Sequence, residues 1–325
     1  MRINIYDEDL NLVEPIGDNY ISCLWTEGYN TVESFTLELI AKESYVKKIK
    51  PDMYVKRIDR TNVMVIKTIE LKGDSLVISG KQAVAVLDDV AFVGKIDAGQ
   101  PIDTLLVNAY NNSNKYPNVN VIGGGISDAY EHQISNKSVF EICDLVCQER
   151  DVGFVASKVD KRIEISVYKP ENEPVRFSSF FGNLKFSSSI NSFENFKNYA
   201  IILGEGEDEN RKKAYLDLSN GGKRREVIID AKDLRQEEEE TEEDYIKRLV
   251  ARGAEKLLEK TKVFSVDVVN LPKGWGIDYD LGHKVLIVIP EQGLKYETRV
   301  VKFQEKSQQG IDEVVVTFGE LIRLR

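Results

Sequence analysis

Histidine is nearly absent from this chain of 325 residues: only His132 and His283 occur. A Ser-His-Asp or Cys-His site needs a base beside a nucleophile, and these two histidines fall in different expected units, one in a loop and one just before a strand. Cysteine is scarce as well, with three residues. Cys143 and Cys147 stand four apart in a helical pattern, so their side chains share one face and read as small buried apolar groups rather than a disulfide, redox or metal pair. No His-x-x-x-His or Cys-x-x-Cys spacing offers a zinc site. A run of about 18 apolar residues, enough for a membrane-spanning helix, does not occur. The N-terminus, Met1 to Asp9, reads as a strand and an acidic turn without the apolar core of a secretion signal. Basic stripes are missing too. Lys47-Lys48 and Lys223-Arg224-Arg225 are short, and the formal net charge is −10, which argues against a protein that grips nucleic-acid phosphates.

The apolar content of 42% and charged content of 30% are those of an ordinary globular protein. The length suggests about two to four compact units. Residues 1–95 read as β, in short runs at Asn19 to Trp25, Ser34 to Ala41, Met53 to Ile58, Val63 to Leu71 and Ser75 to Gly80. Phe35, Leu37 and Leu39 fall on one face, and Lys72-Gly73-Asp74 signals a hairpin turn. From 96 the pattern changes. A helix is expected over Asp103 to Tyr110 and a second one after a cap at Asn136 or Ser138, with Val139, Ile142, Cys143 and Val146 as its apolar stripe. Strands at Val152 to Ser157 and Arg162 to Tyr168 complete an α+β unit, taken as 96–181. Strands resume at Asn198 to Leu203 and Arg225 to Ile229. The best helical pattern of the chain follows an acidic run at 237–244, with Ile246, Leu249, Val250, Gly253 and Leu257 on one side. The last strands are expected at Val263 to Val269, Lys284 to Pro290, Thr298 to Gln304 and Glu313 to Phe318. The fold class is therefore mainly β with an α+β insert. It comprises two small antiparallel β-barrel-like domains (1–95 and 182–325), the α+β unit (96–181) and a helical insert at about 232–262.

Four stretches invite chemistry. Gly204-Glu205-Gly206-Glu207-Asp208-Glu209 follows a strand as a phosphate loop would. It lacks the third glycine and the Lys-Ser/Thr pair, its four acids repel phosphate, and it reads as an acidic hairpin loop, with calcium as the minor alternative. Gly123-Gly124-Gly125 has no lysine partner and reads as a turn. The carboxylates of 237–244 share one watery environment, whereas a catalytic pair needs environments that push its pKa values apart. Thr241 and Asp244 read instead as a helix cap. Asp278-Tyr279-Asp280 is a turn, with an ion site at Asp278/Asp280 left open. Trp25 and Trp275 read as core or interface residues rather than sugar platforms. No catalytic, cofactor-binding or metal-binding residue is assigned, and no cofactor is expected. The alternatives are a carbohydrate- or receptor-binding module and a wall hydrolase working with carboxylates alone.

The succession Asn195-Phe196-Lys197-Asn198-Tyr199-Ala200-Ile201-Ile202-Leu203-Gly204-Glu205-Gly206, Arg211, Arg224 to Ala231, Arg252-Gly253-Ala254-Glu255-Lys256-Leu257 and Asp278 to Val285 resembles the siphophage tail-hub family, the N-terminal hub region of tail-associated tip proteins, related to the baseplate hub of contractile tails. Cys23-Leu24-Trp25 and Glu33 to Leu39 fit its start. His283 departs from it, since relatives usually carry an acid after the Leu-Gly pair. The resemblance implies a non-enzymatic homotrimer in the virion tail tip, made in the host bacterial cytoplasm. Its ring would dock on a hexameric distal tail protein or tail tube protein around the DNA and tape-measure channel, with a tape-measure protein and a tip fibre or plug protein as further partners. Sequence-specific nucleic-acid binding and a membrane-spanning segment are not expected. Many relatives continue into a hydrolase or fibre, and a chain ending at Arg325 is expected to lack one. A channel wall of negative charge is expected to let DNA pass without holding it.

Overall fold

Alternation of apolar and polar side chains builds most of this chain into strands, and the computed structural model is mostly β with few helices. It describes all residues except 171–174, 182–185, 190–195, 208–209, 238–239, 259–265, 270–278, 291–292, 309–310, 320–321 and 324–325. Contacts divide the chain into two units. One comprises Met1–Ser189 with Ser265–Arg325, the other Ile190–Phe264.

In the larger unit strands from both ends of the chain belong to one sheet. Ser22–Gly28 pairs antiparallel with Ser34–Ile40 on one side and with the long strand Leu294–Gln308 on the other. Ser34–Ile40 continues into Ser75–Gln82, which pairs with Val63–Lys72, then Tyr54–Arg57, Ile3–Tyr6 and Leu12–Gly17. Beyond Leu294–Gln308 lie Ile311–Phe318, Val266–Val269 and Phe186–Ser189. The 15-residue strand Leu294–Gln308 serves two sheets. Its first half pairs with Lys284–Ile289 and, past a register shift between Val300 and Lys302, its second half pairs with Ser22–Gly28. A bulge at that point turns the strand from one sheet to the next. The two terminal β regions consequently share one core, in which Trp25, Phe35, Leu37, Ile78 and Met64 pack in one cluster with Phe177, Val285, Ile287, Phe303 and Phe318.

The α+β part has its own core, which starts earlier than residue 96. Tyr54, Val63 and Val65 join it, as does the 3-10 helix Ala83–Asp89. The helices Ile102–Asn111 and Val139–Arg150 bury Leu105, Leu106, Ile142, Val146 and both helical cysteines. Ser138 is the N-cap of the second helix: Glu141 N donates to its Oγ, and Glu141 accepts from the Ser138 N–H in return, the reciprocal arrangement that satisfies two otherwise orphaned N–H groups. Gly153–Val159 pairs antiparallel with Arg162–Tyr168, which pairs parallel with Val119–Val121.

The smaller unit is a three-stranded sheet and one helix. Tyr199–Leu203 lies centrally, antiparallel to Lys213–Asp217 and parallel to Glu226–Asp230. Strands 199–203 and 226–230, grouped by sequence with the terminal strands, thus sit in a separate unit. The helix runs over Glu242–Leu258, within the expected 232–262. Residues 259–262 lie outside the described ones. Its Tyr245, Leu249 and Leu257 pack on Ala200, Ile202, Ala214 and Ile229. The Thr241 Oγ1 accepts from Asp244 N at 3.2 Å, so the expected cap forms.

Candidate functional site

Glu27 is the one charged residue in the strand Ser22–Gly28, and it is fully buried. Burying a lone carboxylate is costly, so its partners define the local architecture. The Arg60 guanidinium donates from Nε to Glu27 Oε1 at 3.3 Å and from Nη2 to Oε2 at 3.1 Å. Trp25 Nε1 donates to Oε1 at 2.7 Å and Asn62 Nδ2 to Oε2 at 2.9 Å. The same guanidinium holds Asp280 through two bonds of 3.1 and 3.0 Å, and Asn62 Oδ1 accepts from Ala156 N at 3.1 Å. Burial works against the charge of Arg60, but Glu27 and Asp280 together outweigh it and raise its pKa further. Arg57 extends the set, paired with Asp59 at 2.6 Å and Glu305 at 2.8 Å. Nearby, Arg299 binds the Asp151 carboxylate and the Gly282 carbonyl, and Tyr29 donates to the Asp151 carbonyl at 2.8 Å. Three distant stretches of sequence are thereby tied together. Above this network lies a cleft of about 530 Å³ lined in part by Arg60, Asn62, Tyr168, Lys169, Asp280 and His283. The Arg60, Glu27 and Asp280 charges are spent on one another, which makes them a clamp between chain segments.

The sequence-derived candidates scatter. Trp25 lies in the core; Trp275 and Asp278 fall outside the described residues. Asp280 is engaged by Arg60, and its backbone N–H donates to His283 Nδ1 at 3.3 Å. Cys143 and Cys147 are buried with sulfurs 4.0 Å apart. The Cys143 hydrogen bond and burial hold the Cys147 thiol well above its ordinary pKa, and burial pushes Cys23 up to about 12, so these thiols are poor nucleophiles. In the 204–209 loop Arg211 Nε donates to the Gly204 carbonyl at 2.8 Å, and Tyr245 Oη accepts from Glu205 N at 2.9 Å. Asp208 and Glu209 are outside the described residues. A side chain on Gly124 would strike the Val167 carbonyl, so that glycine serves close packing, while Gly125 has a φ of +83° with open space around it. Glu240 in the acidic run pairs with Arg248 at 2.7 Å. Arg224 pairs with Asp217 at 2.8 Å. Among the described residues no group of three or more His, Cys, Asp or Glu side chains is placed to hold a metal ion, and no helix is long and apolar enough to cross a membrane.

His132 has a defined partner. Its Nε2 lies 3.2 Å from Glu149 Oε1, and that hydrogen bond raises the imidazole pKa above 6.5 against partial burial. Burial pushes the Glu149 carboxyl up, but His132 and Tyr130 together outweigh it and hold it below its ordinary value. A raised histidine pKa contributes stability that is complete below the unfolded value and fades as pH rises through the folded one. An NMR titration should place the His132 midpoint above 6.5 and move it down in Glu149→Gln; an unmoved midpoint would refute the pairing.

Comparison with solved structures places the fold among phage tail proteins. The 43 kDa tail protein of prophage MuSo2 from Shewanella oneidensis superposes with a TM-score of 0.64 at 14% identity, covering 98% of each chain. The tail protein from Neisseria meningitidis MC58 gives 0.62 at 11% identity over 98% of this chain and 96% of that one. The prophage tail protein gp18 of Listeria monocytogenes EGD-e gives 0.58 at 14%, over 98% and 94%. No curated protein sequence matches. Residues 120–320 match the profile of the Siphovirus ReqiPepy6 Gp37-like protein family, and the chain belongs to that family.

The ionic clamp itself is not marked in the sequence by any motif. The one signal is local: Glu27 stands between Trp25-Thr26 and Gly28-Tyr29, where a carboxylate demands a buried cation.

Proposed function

We propose that this chain is a non-enzymatic hub subunit of a phage tail tip. Three copies would form a ring between a hexameric tail tube or distal tail protein and the tip, around the DNA and tape-measure channel. The observation that carries this reading is the sheet shared by strands from the two ends of the chain, in a fold common to three tail proteins, two of them from prophages, over nearly their whole lengths. An open sheet leaves edge strands with unpaired N–H and C=O groups; among the described residues Leu12–Gly17 and Phe186–Ser189 end the strand order. Closure of copies into a ring is one way to cover such edges. Residues 1–95 and 182–325 would supply the two ring-forming β parts and 96–181 the part facing away, with Ile190–Phe264 elaborating the second.

The channel wall would be the solvent-side face of the sheet. Register places Gln308, Ser22, Glu38, Val77 and Glu70 in one row and Glu313, Lys306, Leu24, Thr36, Ser79 and Thr68 in the next. Lys81 and Lys302 share that face, and Lys302 is paired with Glu33 at 2.7 Å. Acids and bases are interleaved with hydroxyls there, so the wall is closer to neutral than the overall charge suggests. Such a surface neither condenses on phosphates nor repels them strongly. Native mass spectrometry tests the assembly. The expected species, alone or with the distal tail protein added, is a trimer of three 36.9 kDa chains; a monomer that ignores that partner would overturn the proposal.

A further inference from the structure

Asparagine followed by glycine occurs once in this chain, at Asn220-Gly221. The pair occupies the two central positions of a tight turn between strands Lys213–Asp217 and Glu226–Asp230. Both residues have positive φ, 48° and 79°, and Gly222 N donates to the Ser219 carbonyl at 2.8 Å across them, the pattern of a type I′ turn. Both are exposed. Neither the Asn220 side-chain amide nor the Gly221 N–H has a hydrogen-bond partner among the described residues. Beyond its two chain neighbours, no atom lies within 4 Å of the position a side chain would take on Gly221, so no other part of the chain crowds the turn on that side.

Two other asparagines adopt positive φ, Asn118 and Asn136, and they serve as internal comparisons. Asn118 Nδ2 donates to the Glu8 carbonyl at 3.0 Å. Asn136 Oδ1 accepts from Gly94 N at 3.1 Å. Each amide is anchored, and the next residue, Val119 or Lys137, carries a side chain that hinders approach of its nitrogen.

We infer that Asn220 is a site of spontaneous deamidation in the native protein. The Gly221 nitrogen attacks the Asn220 side-chain carbonyl carbon, forming a new C–N bond while the side-chain nitrogen leaves as ammonia. The resulting five-membered succinimide is then opened by water. Cleavage at one carbonyl gives aspartate and at the other isoaspartate, which reroutes the backbone through the side chain. Either product adds one negative charge, three residues before the Lys223-Arg224-Arg225 triplet. A carboxylate there competes with Asp217 for Arg224, whose guanidinium also lies 4.5 Å from the Tyr199 ring centre. The turn is thus a place where the charge of the smaller unit changes with the age of the molecule, without any enzyme.

The test is peptide mapping by mass spectrometry of the full chain held in warm, mildly alkaline buffer, with isoaspartate read separately by isoaspartyl methyltransferase labelling. The peptide carrying Asn220 should convert progressively, with isoaspartate in excess. The peptides carrying Asn118 and Asn136 should lag well behind. Isoelectric focusing should show one new acidic band, absent from Asn220→Gln incubated in parallel. An Asn220 peptide that stays intact, or that converts no faster than the other two, would overturn the inference. So would an acidic band that persists in Asn220→Gln.

Discussion

Arg60→Met should destabilise the larger unit by about 3–5 kcal/mol, the usual consequence of removing one partner from a buried ion pair. Methionine is close to the arginine stem in volume and keeps contact with the Phe303 ring, over which the guanidinium lies at 4.7 Å. The variant therefore isolates the charge from the packing. What remains is Glu27, whose side chain is 1% exposed against 11% for Arg60, with Trp25 and Asn62 as neutral donors. Two neutral donors do not replace a bidentate guanidinium. The Asp280 arm is a lesser contribution, because that carboxylate is 40% exposed and water screens exposed pairs to about 0–1 kcal/mol. Asp280→Asn should accordingly cost much less than Arg60→Met. Adding Glu27→Gln to Arg60→Met should recover much of the loss, since the orphaned charge goes with it. Urea unfolding followed by tryptophan fluorescence reads all three variants. Arg60→Met within about 1 kcal/mol of the parent would mean that Glu27 is not dependent on it.

The parts of the fold that are legible in the sequence are those set by local periodicity. Phe35, Leu37 and Leu39 alternate and form the buried side of a strand. Ser138 caps a helix whose stripe of Val139, Ile142, Cys143 and Val146 is buried. The short amphipathic elements are harder to see. Lys213–Asp217 contains a single well-buried residue, Ala214, too little for an alternating pattern. Tyr245 joins the helix to the rest of its unit, accepting from Glu205 N and donating to the Leu234 carbonyl, contacts that no local periodicity announces. Non-local facts are not written in any window of sequence. That Ser22–Gly28 pairs with residues 302–308, across nearly the whole chain, depends on the sum of two half-buried strands and on the Arg57, Arg60 and Arg299 ion pairs. A lone charged residue in an otherwise uncharged strand hints at such a pairing but does not name its partner. The acidic stretches misdirect for the opposite reason. Their density suggests chemistry, while Glu240–Arg248, Glu242–Lys212 and Asp244–Lys247 show carboxylates paired with bases of the same unit.

Gly80→Ala should be among the most damaging single-methyl changes in the chain, at about 3 kcal/mol or more. The residue sits inside strand Ser75–Gln82, opposite Phe35 on one side and Ile66 on the other. A methyl group there would lie 1.9 Å from the Val65 carbonyl oxygen and 2.8 Å from Phe35 Cε1. A register shift between Ile66 and Thr68 lies next to this contact on the neighbouring strand. The obstructing atom is backbone, and its own strand is pinned by the Val65–Lys81 and Met64–Gln82 pairings. Relief would have to come from separating the strands. That would also disturb Gln82, whose Oε1 accepts from Gly28 N at 3.1 Å and Glu33 N at 2.8 Å. Trimming Phe35 to leucine should therefore fail to rescue Gly80→Ala, although it clears the second contact. Gly73→Ala is the contrast: φ is +56° with no neighbour within 4 Å, and the expected loss is about 1 kcal/mol from the left-handed backbone alone. Urea midpoints of the two variants should differ clearly. Equal midpoints would mean that the sheet yields at Gly80 at little cost. The proposed ring asks that the sheet joining residues 22–82 to 302–318 hold its register, so Gly80→Ala should lower the yield of trimer more than Gly73→Ala does.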